Sequence, residues 1–134
     1  MNNKYEITDE VHPQFENLRR IRALRDIPRY EVKAGDLGGY IQSEKNLDQE
    51  GNCWVANNAS VYEDARVSGD ARVFGDAQVY GYARISRNAY VFDDAWVSGN
   101  AWVSGNAYVV GRAWVFGNAE VSGNDTVSGD EQVS

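Results

Sequence analysis

Few side chains in this sequence are of a type that does chemistry, and their spacing decides what they could do. There is one histidine, His12, beside Pro13, and one cysteine, Cys53. An imidazole can serve as general base and a thiol as nucleophile, but neither residue has a partner at motif spacing. A single cysteine also excludes an intramolecular disulfide and is too few for a thiolate metal site. Carboxylates pair at Glu63/Asp64 and at Asp93/Asp94, the kind of pairing that can do acid/base work or hold calcium. Both pairs fall at turns, where acids are favoured for backbone reasons. The sequence contains no Gly-Lys-Ser/Thr phosphate loop, no Ser-His-Asp set and no spaced His/Cys cluster. The expectation is a protein that is not an enzyme, with no cofactor and no metal.

The elements that would position these residues are set by a repeat. An aliphatic residue recurs every six positions from Val55 to Val133, fourteen times without interruption, with Ile85 the one isoleucine. Two residues before each of the first twelve stands a small one, first Cys53 and then alanine from Ala59 through Ala119. The unit reads Gly-Asn/Asp-Ala-x-Val-x. Ala-x-Val is a short strand whose alanine and valine point the same way. Gly-Asn or Gly-Asp supplies a corner, because these residues tolerate left-handed backbone. Three six-residue sides make a triangular coil of about eighteen residues, with coils stacked at roughly 4.8 Å.

Stretches such as VSGDARVFGDAQV and VSGNAWVSGNAYV resemble the hexapeptide-repeat left-handed parallel β-helix family, over somewhat more than half of the chain. The resemblance implies an all-β solenoid, left-handed, with regular coils over 53–134, an irregular first coil over 35–52, and a small β-hairpin-like cap over 1–34. Periodicity alone leaves that cap open between strand and helix, since Phe15, Leu18, Ile21, Leu24 and Ile27 recur every three residues. KYEIT, RIRALRDI, AGDLGGYI and NLDQEGNCWV also resemble the head of uncharacterised phage and prophage repeat proteins. Acyltransferases of the hexapeptide family use a histidine projecting from a coil, and its carbonic anhydrases bind zinc through three. Here the one histidine precedes the coils, so a diverged acyltransferase ranks last among the functions the resemblance allows.

Position x of the repeat faces solvent, and stacking every eighteenth residue arranges its occupants in three ladders. Aromatics collect there and just after the valines: Phe74, Phe92, Trp96, Trp102, Trp114 and Phe116, with Tyr90 and Tyr108. Exposed aromatics in contact are typical of interfaces, so these eight residues are the expected contact stripe, used for a homo-oligomer, a dimer by preference, or for an outside partner. Near the C-terminus the inward slot becomes Asp125 and then Glu131. Charge there either blocks endless stacking of coils or forms half of an end-to-end contact.

The net charge is −7, and residues 50–134 hold eleven acids against five arginines. Such a balance disfavours direct binding of nucleic acid and favours basic partners, including proteins that handle nucleic acid. Glu63, Asp64, Asp70, Asp76, Asp93 and Asp94 are the candidate acidic partner surface. No apolar run is long enough for a membrane span, and the first residues lack the pattern of a signal peptide, so the expected location is the cytoplasm of an infected host cell. The sequence therefore reads as an acidic, non-catalytic protein-binding module that occupies a surface of a host protein, inhibiting for instance a nucleic-acid-handling defence factor. A structural phage part, such as a fibre or spike accessory, is the alternative.

Overall fold

A six-residue unit of short strand and tight corner can close on itself only by turning three times per coil. The computed structural model, which describes residues 3–134, is an all-β parallel solenoid of about five coils with eighteen residues per turn. Fourteen two-residue strands follow one another from Trp54–Val55 to Gln132–Val133. They fall on three faces. The first face holds Ser60–Val61, Gln78–Val79, Trp96–Val97, Trp114–Val115 and Gln132–Val133. The second holds Arg66–Val67, Arg84–Ile85, Trp102–Val103 and Glu120–Val121, and the third runs from Trp54–Val55 to Thr126–Val127. Register is set by the repeat: Ser60 lies beside Gln78, Gln78 beside Trp96, and Trp96 beside Trp114.

Inside, alanine and valine alternate with corners to make one continuous core. Ala59 through Ala107 and Val55 through Val115 are buried at every inward slot. The corners stack as closely as the strands do. A Cβ added to Gly105 (φ +65°) would lie 2.8 Å from the backbone nitrogen of Gly123, so the corner column favours glycine on steric as well as dihedral grounds. At three of the corners where a side chain occupies the left-handed conformation, it offsets the strain with a bond to the next coil. Asn57 Oδ1 accepts the Gly75 N–H at 3.1 Å, Glu63 Oε1 that of Gly81 at 3.0 Å, and Asp93 Oδ2 that of Gly111 at 3.3 Å.

The N-terminal cap is built on a hairpin and not on a helix, although of the residues at three-residue spacing only Ile21 lies within a strand, Phe15, Leu18 and Leu24 falling in the connections. β1 (Tyr5–Val11) pairs antiparallel with β2 (Arg19–Ala23), and β2 pairs antiparallel with β3 (Leu37–Ile41). β3 then pairs in parallel with Ser60–Val61, so the cap extends the first face into an eight-stranded sheet. Arg20 stitches it down, its guanidinium donating to Gly38 O at 2.7 Å and pairing with Glu10 at 2.7 Å. Tyr5, Ile21 and Ile27 belong to the same buried cluster as Ile41 and Val55, so the cap and the coils share one core. Residues 1–2 of the expected 1–34 cap lie outside the described residues. Among the described residues the only helical segments are 3-10 turns at Pro28–Tyr30 and Glu44–Asn46, and no helix is long and apolar enough to cross a membrane.

The cap changes what the first coil exposes. Trp54, placed on an outward ladder by the repeat, is 1% exposed, and Ser60 is buried as well. Gly38 is what admits the indole, since a Cβ there would stand 2.8 Å from Trp54 Cζ2.

Candidate binding site

The outward aromatics do not form one stripe. Tyr90, Trp96, Trp102, Tyr108 and Trp114 occupy five successive x positions, and successive positions lie on successive faces. The eight predicted residues therefore belt the rod. Phe74, Phe92, Tyr90 and Tyr108 share the third face, Trp96, Trp114 and Phe116 the first, and Trp102 alone the second. On the third face the rings spend their surface on each other. Phe74 stacks on Phe92 at 4.7 Å and Tyr90 on Tyr108 at 5.3 Å, with Arg72 lying 4.5 Å from the Phe74 ring centre. Tyr108 stays half-exposed at the end of this block.

The acids are divided in the same way. Asp76, Asp93 and Asp94 line the corner between the third and first faces, Glu63 and Asp64 the corner between the first and second, and Asp70 the remaining corner. Several are committed locally. Glu63 and Asp93 hold the corner glycines already described, Asp64 pairs with Lys45, and Asp70 Oδ1 accepts from Asn52 Nδ2 at 3.1 Å. Asp76 and Asp94 have no ion pair or side-chain hydrogen bond among the described residues. Asp125 and Glu131 are both exposed, and Glu131 turns back to accept the Ser128 N–H at 3.2 Å.

Aromatics and free acids converge in one place, along the first face. There a concave site of about 550 Å³ has Gln78, Trp96, Trp114 and Gln132 across its floor and Asp76, Asp94 and Arg112 along its rim. The Trp96 and Trp114 rings meet edge to face, centres 5.9 Å apart. Trp114 is pinned by donating Nε1–H to Ser98 Oγ at 3.0 Å, while Trp96 is 41% exposed. Arg112 is drawn to Asp130, Nε to Oδ1 3.0 Å, which leaves Asp76 and Asp94 as the free charges. A second hollow shares Asp76 and Gln78 and continues to the cap, ending at His12, Phe15 and Tyr40. Together they make a trough running most of the length of the rod.

His12 ends that trough as a packed side chain. Its ring lies 4.5 Å from Tyr40 and 5.0 Å from Phe15, and its Nδ1 accepts the Gln14 N–H at 3.0 Å. Burial, helped by the Arg20 charge, lowers its pKa. Among the described residues no group of three or more His, Cys, Asp or Glu side chains could hold a metal ion.

The inward slot of Cys53 proved to have a charged neighbour that no pattern pointed to. Lys4 is fully buried and donates Nζ–H bonds to Cys53 O at 2.7 Å, to Cys53 Sγ at 3.1 Å and to Glu50 O at 3.3 Å. Burial lowers the Lys4 pKa and raises that of the Cys53 thiol, so both groups lean towards their neutral forms. The lysine plugs the entrance of the core and satisfies carbonyls that the first coil leaves open.

A family model described as YdcK Beta solenoid repeat matches residues 65–81, about one coil. No curated protein matches the chain.

Proposed function

We propose that this chain is a rigid, non-catalytic scaffold that binds a basic, extended segment of a partner protein along its first face. The observation that carries this reading is the pairing of the Trp96/Trp114 floor with the free carboxylates of Asp76 and Asp94 in one trough. Lysine and arginine side chains are held well by such a combination, the cation over an indole and beside a carboxylate. The net charge of −7 adds long-range attraction to the same partner.

On this reading the coil is a left-handed hexapeptide-repeat helix, supported by its three-sided, eighteen-residue turn. We take the partner to be a host protein that handles nucleic acid, bound in the cytoplasm of an infected cell, on the resemblance of the cap to phage and prophage repeat proteins. Tyr108 and the stacked rings beside it supply a separate contact for a homodimer.

Titration of an arginine-rich peptide into the purified chain by calorimetry tests the trough. Saturable binding at low salt that weakens about tenfold in Trp96→Ala, and by a similar factor in Asp76→Asn/Asp94→Asn, is the expected result. Binding that is absent, or indifferent to both changes, removes the reading.

A further inference from the structure

The second face carries another concave site, and this one holds a pair of arginines. The register stacks Arg66 on Arg84 and puts Trp102 on the next rung. Rungs of a sheet stand about 4.8 Å apart, so two like charges face each other across one strand spacing, an arrangement that destabilises a sheet. Yet among the described residues no carboxylate forms an ion pair with either guanidinium, in a chain whose net charge is −7.

Two carboxylates, Glu44 and Asp48, share the cavity lining, and each is turned to a neutral donor on its own wall while the further cation, Lys45, is ion-paired. Glu44 Oε1 accepts from Gln49 Nε2 at 3.0 Å, Asp48 Oδ1 accepts the Glu50 N–H at 3.0 Å, and Lys45 is paired with Asp64. This wall, the turn Glu44–Asn46 and the loop after it, bounds a cavity of about 470 Å³. Arg66 and Arg84 line it together with the hydroxyl-bearing Ser68 and Ser86, and Trp102 closes the far side. The Trp102 indole is 49% exposed, with the Arg84 guanidinium 5.8 Å from its ring centre.

We propose that this cavity binds a phosphate monoester whose organic group is planar. Two guanidiniums one rung apart can grip a single dianionic phosphate, each through paired N–H donors, and the serine hydroxyls can add further donors. The indole lies a rung beyond, where a ring attached to that phosphate would rest. Among the described residues, Glu44 and Asp48 line the same cavity without forming an ion pair with either guanidinium, and the phosphate supplies the direct contact that these carboxylates do not make. The site shares no residue with the trough on the first face and selects the opposite charge, so either assignment can fail without the other.

Calorimetry on the full chain tests it, with phenyl phosphate and adenosine monophosphate as probes, and with orthophosphate and adenosine to separate the two halves of the recognition. Both esters are expected to bind saturably, about tenfold more tightly than orthophosphate, and adenosine not to bind. Arg66→Gln and Arg84→Gln should each weaken the esters about tenfold, and Trp102→Leu should weaken the esters while leaving orthophosphate unchanged. All three positions are exposed, and circular dichroism of each variant checks that it folds before binding is compared. Esters that fail to bind folded wild type, or that bind both arginine variants equally well, overturn the site. Orthophosphate binding as tightly as the esters overturns the role given to Trp102.

Discussion

Gly105 and Gly123 occupy the same corner column in adjacent coils, with φ of +65° and +61°, and they separate two reasons for a corner glycine. A Cβ on Gly105 would lie 2.8 Å from Gly123 N and 3.0 Å from Gly123 O, whereas a Cβ on Gly123 meets nothing within 4 Å. Gly123→Ala therefore incurs only the left-handed dihedral, about 1–2 kcal/mol, offset in part by the stiffer unfolded chain. Gly105→Ala incurs the same and must also push the next corner away, which adds about 1–3 kcal/mol of overpacking. The net expectation is about 1 kcal/mol for Gly123→Ala and about 3 kcal/mol for Gly105→Ala. Gly105→Asn should recover about 1 kcal/mol of that loss by accepting the Gly123 N–H, as Asn57 does for Gly75. Urea unfolding followed by circular dichroism, with midpoints compared at a common m-value, reads all three. Equal losses for the two alanine variants would refute the stacking argument and leave the dihedral alone responsible. An asparagine variant no better than alanine would refute the inter-coil bond.

Further predictions follow from the core, the cap and the surface. Val97→Ala should destabilise by about 1.5–3 kcal/mol, since the side chain is fully buried between Val79 and Val115; a midpoint within error of wild type would show that the ladder relaxes into the gap. Because burial lowers the Lys4 pKa, the unfolded chain binds more protons below the ordinary lysine value of 10.5, and stability should climb as pH rises towards it. Lys4→Met should flatten that climb while leaving the Cys53 carbonyl without its donor, at about 1–3 kcal/mol; parallel pH profiles for the two proteins would count against it. Burial pushes the Tyr62 phenol up to about 12, so the native state keeps its proton where the unfolded state loses it, and stability falls as pH rises above 10. Tyr62→Phe should remove part of that alkaline loss. Light scattering should give a dimer that Tyr108→Glu converts to monomer without changing peptide binding; a trimer would favour a structural fibre role.

How much could be read beforehand depended on distance along the chain. The pairing of Arg66 with Arg84 and Trp102, or of Trp96 with Trp114, follows from the repeat because the same three-sided coil recurs, and any residue then meets the one eighteen positions on. The buried alanine and valine slots follow from the same translation. The corner acids were legible as turn residues, but their sharing between structure and surface was not. Glu63 and Asp93 point along the stack to a glycine N–H, while Asp76 and Asp94 are left free. Asp64 and Asp70 stand at the same repeat position as the free pair but are engaged by Lys45 and Asn52, so the neighbours and not the position decide which acids stay free.

What the tertiary structure alone decided is everything the cap does. Lys4 under Cys53, Arg20 over Gly38, and Trp54 covered beside Gly38 are contacts between an aperiodic segment and the first coil. No repeat distance predicts them, because the cap docks once and its partners are chosen by shape and by unsatisfied carbonyls. The aromatics show the same division. Their number and rungs are written in the sequence, but a ring's availability depends on its neighbours. Phe74 and Phe92 cover each other on the third face, whereas Trp96 and Trp102 are left uncovered on the first and second. Translation along the coil is a local rule that a sequence can carry by itself; exposure is a sum over all neighbours, and it exists only once the chain has folded.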